Sequence, residues 1–67
     1  MNKVREVREE KGMSQTELAR RARMASQNLC AIENGKLIAW PKARRALARV
    51  LKTTIAELFP EKGEQVG

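Results

Sequence analysis

Ser26, Gln27 and Asn28 are three successive polar, uncharged side chains set in a stretch of chain dominated by cations. A glutamine or asparagine amide carries a donor and an acceptor side by side. That pairing matches the N6 and N7 edge of adenine. Around the trio lie Arg20, Arg21, Arg23, Lys36, Lys42, Arg44, Arg45, Arg49 and Lys52, and Glu33 is the only acid between Arg20 and Lys52. The other acids sit outside that span, at Glu6, Glu9, Glu10 and Glu17 before it and Glu57, Glu61 and Glu64 after it. The chain holds 14 Lys and Arg against 8 Asp and Glu, a net charge of +6. So uneven a distribution points to a polyanion as partner; charge alone leaves a merely solvated surface as the alternative.

The residues needed for other chemistry are missing. With no histidine and one cysteine, Cys30, the chain has no Cys/His zinc site and no internal disulfide. It has no glycine-rich phosphate loop and no carboxylate pair with an apolar pocket around it, so neither an enzyme nor a bound cofactor or metal is expected. Cys30 admits two readings, a redox-sensitive thiol or a small residue on a helix. The lack of a second, resolving cysteine favours the small residue. The thiol suits a reducing cytoplasm, and neither a membrane-spanning run nor a signal-peptide core is seen.

Short helices must position these side chains. At 67 residues there is room for one domain and little else. A first helix is expected over Asn2–Lys11, with Val4 and Val7 inward and Gly12 as its left-handed stop. Ser14 and Glu17 form the ends of a capping box that opens a second helix, carrying Leu18, Ala19 and Ala22 inward and ending near Arg21 or Ala22. A third helix fits Ala25 to Glu33 or Asn34, with Ala25, Leu29 and Ile32 inward and Asn34-Gly35 as the stop. After a loop over Lys36–Trp40, Pro41 opens a fourth helix whose buried face is Ala43, Ala46, Leu47, Val50 and Leu51. Thr54 and Glu57 make a second capping box for a short fifth helix with Ile55, Leu58 and Phe59 apolar. The domain is expected over residues 1–60, and residues 61–67 read as a polar, frayed tail. Trp40 is expected as a partly buried plug against the fourth helix or against a neighbouring subunit.

Two short helices joined by about three residues make a helix-turn-helix unit, in which the second helix enters the DNA major groove and the first braces it across the backbone. Ala19 and Ala25 are expected to allow the close approach of the two helices. Residues 4 to 59 resemble the phage-repressor-like, or Xre-type, helix-turn-helix family. The resemblance is carried by Val7-Arg8-Glu9-Glu10-Lys11-Gly12-Met13-Ser14-Gln15-Thr16-Glu17-Leu18-Ala19, by Ile32-Glu33-Asn34-Gly35-Lys36 and by Ile55-Ala56-Glu57-Leu58-Phe59. It implies an all-α, compact, five-helix lambda-repressor-like domain that binds operator DNA, usually as a two-fold homodimer. Three positions depart from the pattern. Arg23 stands where the turn commonly has glycine, Ala25 where Ser or Thr often caps the third helix, and Lys52 where glycine often ends the fourth.

The resemblance also implies roles. Ser26, Gln27 and Ala31 match base-facing positions, and Gln27 additionally lies on the side of its helix away from Leu29 and Ile32. Asn28 reads either a base or a phosphate. Ala31 either meets a thymine methyl or permits close approach. Gln15 matches a phosphate contact at a helix start, Lys36 another, and Asn34 either a phosphate contact or a plain helix stop. Lys42, Arg44 and Arg45 begin the fourth helix close to where the family again meets the backbone, and Arg23 in the turn is a further phosphate candidate. Arg8 and Glu33 match a structural ion pair. Ile55, Leu58 and Phe59 are the expected dimer contacts. The expected partner is double-stranded DNA, with no membrane and no small-molecule substrate, and the expected function is transcriptional regulation, more often repression, in a prokaryotic cytoplasm at the nucleoid. The alternative is an antitoxin or interaction subunit that binds DNA secondarily.

Overall fold

The computed structural model describes residues 2–60, so Met1 and the expected tail over residues 61–67 lie outside the described residues. Five helices follow one another: α1 Val4–Glu10, α2 Gln15–Arg21, α3 Ser26–Glu33, α4 Pro41–Val50 and α5 Ile55–Leu58. Among the described residues there is no strand. Each start has a local cause. The Ser14 Oγ accepts from the Glu17 amide at 3.1 Å, and the Thr54 Oγ1 accepts from the Glu57 amide at 3.1 Å, so two otherwise unpaired helix donors are satisfied. Only this half of each capping box forms. Glu17 turns to Arg21, 2.8 Å away, and Glu57 accepts from the Thr53 hydroxyl at 3.4 Å. Pro41 occupies the first turn of α4, where its missing N–H has no helical partner to lose.

The helix ends share one device. In α1 to α4 the residue after the cap turns left-handed, at Gly12 (φ 68°), Arg23 (φ 60°), Gly35 (φ 76°) and Lys52 (φ 55°). The next amide then reaches back to a carbonyl of the last full turn: Met13 to Arg8, Met24 to Ala19, Lys36 to Ala31 and Thr53 to Ala48, at 3.1, 2.9, 2.8 and 2.9 Å. Glycine enters this conformation freely, whereas a residue with a β-carbon is strained by roughly 1–2 kcal/mol. The departures at Arg23 and Lys52 therefore keep the left-handed geometry and bear the strain. Glycine also loses about 0.5–1 kcal/mol more chain entropy on folding. Lys52→Gly should thus raise stability by about 0.5–1 kcal/mol and Tm by roughly 2–8 °C. A thermal melt showing a lower Tm would contradict this account.

The core joins all five helices. Val4, Leu18, Leu29, Leu47, Leu51 and Leu58 are fully buried in one cluster, with Ala19, Ala22 and Ala48 filling between them. Ile32, Ala39 and Ala43 form a smaller cluster that shares Met24 and Phe59 with the first. Two expectations need correction. Ala25 is exposed, because it is the extended residue before α3 (φ −71°, ψ 140°) and helical periodicity does not reach it; Ala19 alone of the expected small pair is buried. The first helix starts two residues later than expected, since Asn2 does other work. Its Nδ2 donates to the Ile32 carbonyl at 2.8 Å and its Oδ1 accepts from the Val4 amide at 3.1 Å. The Lys3 amide beside it donates to the Leu58 carbonyl at 2.8 Å, closing α1 against α5.

Candidate nucleic-acid interface

Helix α3 turns Leu29 and Ile32 fully inward. The opposite face then carries Gln27, Ala31 and Asn34 at i, i+4 and i+7, one stripe along a helix. Gln27 and Asn34 are exposed and Ala31 is half-buried. Ser26 and Asn28 flank Gln27 in the first turn, both exposed, so the three polar side chains stand free of the core. The Asn34 Nδ2 lies 3.4 Å from Cys30 Sγ and donates to it, and Lys36 follows, exposed.

The angle between α2 and α3 is held by a buried network. Arg8 grips Glu33 with two parallel bonds, Nε to Oε2 at 2.8 Å and Nη2 to Oε1 at 3.2 Å. Their side chains are only 11% and 2% exposed. The remaining guanidinium nitrogen, Nη1, donates to the Met13 carbonyl at 2.9 Å. Gln15 completes the set, its Nε2 donating to Glu33 Oε1 at 3.1 Å. One carboxylate at the end of α3 thus gathers α1 and the first residue of α2. The hydrogen bond to Glu33 holds the Arg8 guanidinium above its usual pKa, burial opposes this, and the negative charges of Glu33 and Glu9 add to it.

The other expected contacts separate into two groups. Arg23, Lys42 and Arg45 are exposed. They line one open groove between the α2–α3 turn and α4. Arg49, which sequence reasoning passed over, lines the same groove, as does Trp40. The spacing of 42, 45 and 49 at i, i+3 and i+7 was the available sign of a shared face. Arg44 belongs elsewhere. Its Nε donates to the Ala39 carbonyl at 2.9 Å and its guanidinium lies 5.5 Å from the Phe59 ring centroid, so this half-buried arginine braces the α3–α4 loop against the end of α5. Gln15 is likewise engaged inside the protein through one amide hydrogen. Leu58 is withdrawn from the expected dimer contacts, because it is fully buried in the protomer's own core and has no surface to offer. Phe59 is half-buried under Arg44, and Ile55 is exposed.

Among the described residues, no group of His, Cys, Asp and Glu could hold a metal, and no helix is long and apolar enough to cross a membrane. The pieces that do converge are two short helices joined by residues 22–25, the second presenting an exposed polar first turn, inside a five-helix domain. That is the architecture of a helix-turn-helix protein. Residues 2–59 match the family described as Helix-turn-helix domain, and the chain belongs to that family. Comparisons with curated proteins and with solved structures give no match. Membership suggests a DNA-binding domain of the regulatory kind, a family that is generally not enzymatic.

Proposed function

We propose that the chain is a transcriptional regulator of the Xre type that binds one DNA sequence as a homodimer, acting chiefly as a repressor. Helix α3 lies in the major groove with its N-terminal turn against the base edges. Gln27 reads an adenine, Ser26 and Asn28 contact neighbouring bases or the adjoining backbone, and Ala31 gives room for approach or meets a thymine methyl. Lys36 and Asn34 at one end of α3, and Arg23 with Lys42 and Arg45 at the other, hold the phosphates. Gln15 keeps its carbonyl and one amide hydrogen for a phosphate-bound water or an adjacent group while its other hydrogen stays on Glu33. Two copies meeting through a surface that includes Ile55 and Phe59 set the recognition helices about 34 Å apart, one turn of duplex.

The observation that carries this reading is the polar, uncharged and exposed first turn of α3, flanked by cations. Cations alone suit phosphates of any sequence, whereas amides at the tip of the inserted helix suit base edges. Selection of bound duplexes from a random pool is the test. The expected product is a near-palindrome with half-sites about one helical turn apart. A pool that remains random after repeated rounds, across a range of salt, would overturn the proposal.

A further inference from the structure

The loop between α3 and α4 concentrates the exposed apolar side chains. Leu37, Ile38 and Trp40 are three of the four large hydrophobic residues exposed among the described residues, and the fourth is Ile55 on α5. Ile38 is the extreme case, 82% exposed. The backbone on either side of it is fixed. The Leu37 amide donates to the Ala31 carbonyl at 3.2 Å, and the Ala39 carbonyl accepts from Arg44 Nε at 2.9 Å. Ala39 packs inward with Ile32 and Ala43, which turns the preceding side chain outward. The loop therefore holds an aliphatic knob in water, already ordered and losing little freedom on being covered.

A pocket of 160 Å³ opens beside the knob. Asn2, Gly35, Leu37, Arg44 and Phe59 line it, with Ile38 itself at the edge. A cavity of about 150 Å³ holds a benzene ring, so this one admits a single side chain and neither a helix nor a duplex. Ile38 cannot fill it, because Ile38 is part of its wall. The Ile38 of a second copy can. A two-fold axis close to Ile38 seats each knob in the other copy's pocket, the reciprocity that a two-fold contact requires.

Two further observations favour a second copy over a different partner. Each copy carries a net charge of +6, so copies repel wherever their cations face each other. Outside residues 24–32, residues 37–41 are the longest run without charge between Arg20 and Lys52. Arg44 is the one charged side chain lining the pocket, and it is engaged with the Ala39 carbonyl and the Phe59 ring. The pocket is also continuous with the pairing surface proposed above, because Phe59 belongs to both. Specific interfaces cover roughly 800 Å² on each partner, more than the single exposed isoleucine of a four-residue α5 supplies. The loop adds the missing area.

We propose that the α3–α4 loop is the lock of the homodimer, with Ile38 of each copy seated in the other's pocket against Phe59. The inference rests on the homodimer reading above and names the contact that decides it. The loop is tied to α3, since the Lys36 and Leu37 amides both donate to the Ala31 carbonyl. The same contact therefore sets the separation of the two recognition helices.

Sedimentation equilibrium measures pairing for the unmodified chain, Ile38→Val, Ile38→Ser, Ile38→Trp and Ile55→Ser. Two knobs are lost per dimer, so Ile38→Ser should weaken pairing at least ~100-fold, and Ile38→Val no more than ~20-fold. Ile38→Trp should weaken it at least ~10-fold, because an indole overfills the pocket although it offers more apolar surface. Ile55→Ser should cost less than ~10-fold. Melts at high dilution should keep the Ile38 variants within about 2 °C of the unmodified chain, which separates lost pairing from lost fold. Binding is also compared on duplexes carrying one and two selected half-sites. Ile38→Ser should match the unmodified chain within about twofold on one half-site and bind at least ~10-fold more weakly on two. If the free chain is monomeric, this cooperativity carries the comparison of all the variants.

Unchanged pairing in Ile38→Ser, with pairing lost in Ile55→Ser, would overturn the lock and leave the homodimer reading standing. Pairing as tight or tighter in Ile38→Trp would overturn the pocket fit. Equal losses on one and two half-sites would put Ile38 against DNA and overturn the lock as well. A chain that stays monomeric to ~1 mM and binds two half-sites without cooperativity removes the homodimer and the lock together. A failed selection of sequences leaves the sedimentation result intact, so base reading and pairing stand or fall separately.

Discussion

Glu33→Ala is expected to remove about 3–5 kcal/mol of stability, because it strands a buried guanidinium. Arg8 would keep its bond to the Met13 carbonyl and lose both bonds to the carboxylate, and Gln15 would lose its acceptor. A chain of 67 residues has a total stability of roughly 3–10 kcal/mol, so the single change should leave much of the population unfolded at room temperature. Urea denaturation followed by circular dichroism measures it. A midpoint equivalent to less than about 1 kcal/mol of loss would refute the buried-pair account. The double variant Arg8→Met/Glu33→Leu should recover most of the loss, since well-packed apolar residues replace a buried pair at little net cost. The sign with pH follows from the direction of the Arg8 shift. A group whose folded pKa is raised contributes fully below its unfolded value, so Arg8's share is constant through the neutral range and is lost only in strong base. Because a change at either partner weakens the domain, loss of DNA binding in such variants reports on folding first.

Gln27→Ala separates recognition from folding in the opposite way. The side chain is exposed on α3 and has no hydrogen-bond partner among the described residues, so its removal should leave Tm within about 2 °C. Binding to the selected sequence should fall by ~1–3 kcal/mol, roughly 5- to 150-fold, with preference relaxed at one base pair of each half-site. Competition between the selected duplex and single-base-pair variants measures both quantities. A uniform loss on every duplex would assign Gln27 to the backbone and remove it from base reading.

How far the residues disclose the fold depends on the range of the interaction. Ser14 and Thr54 announce helix starts because each caps an amide three residues on, and Pro41 does so through its own fixed φ and missing N–H. Gly12 and Gly35 announce ends for the same local reason. Arg23 and Lys52 end helices just as sharply, yet their types argue against it, and only comparison with a family pattern marks the positions. The stripe of α4 is readable from spacing alone, and every residue of that stripe is at least half-buried. Contacts across the chain are not readable in this way. Gln15 and Glu33 are separated by 18 positions and Asn2 and Ile32 by 30, and no periodicity links them. Arg44 looks like its neighbours Lys42 and Arg45 until folding brings Ala39 and Phe59 beside it. Leu58 and Ile55 both read as apolar residues of one short helix, and only packing shows that one faces the core and the other the surface. The exposed stripe on α3 could be placed from the inward pair Leu29 and Ile32, whereas the groove lined by Arg49 required the turn and α4 to be seen together.

The hydrogen bond from the Lys3 amide to the Leu58 carbonyl has a topological result. The chain enters and leaves the folded unit at the same spot, so the unit is a closed loop pinned at its neck. Sequence joined at either side would depart from one point on the surface, like two cords from a single bead. A further segment could then be lengthened, shortened or exchanged without altering the pitch of the helix that meets the DNA.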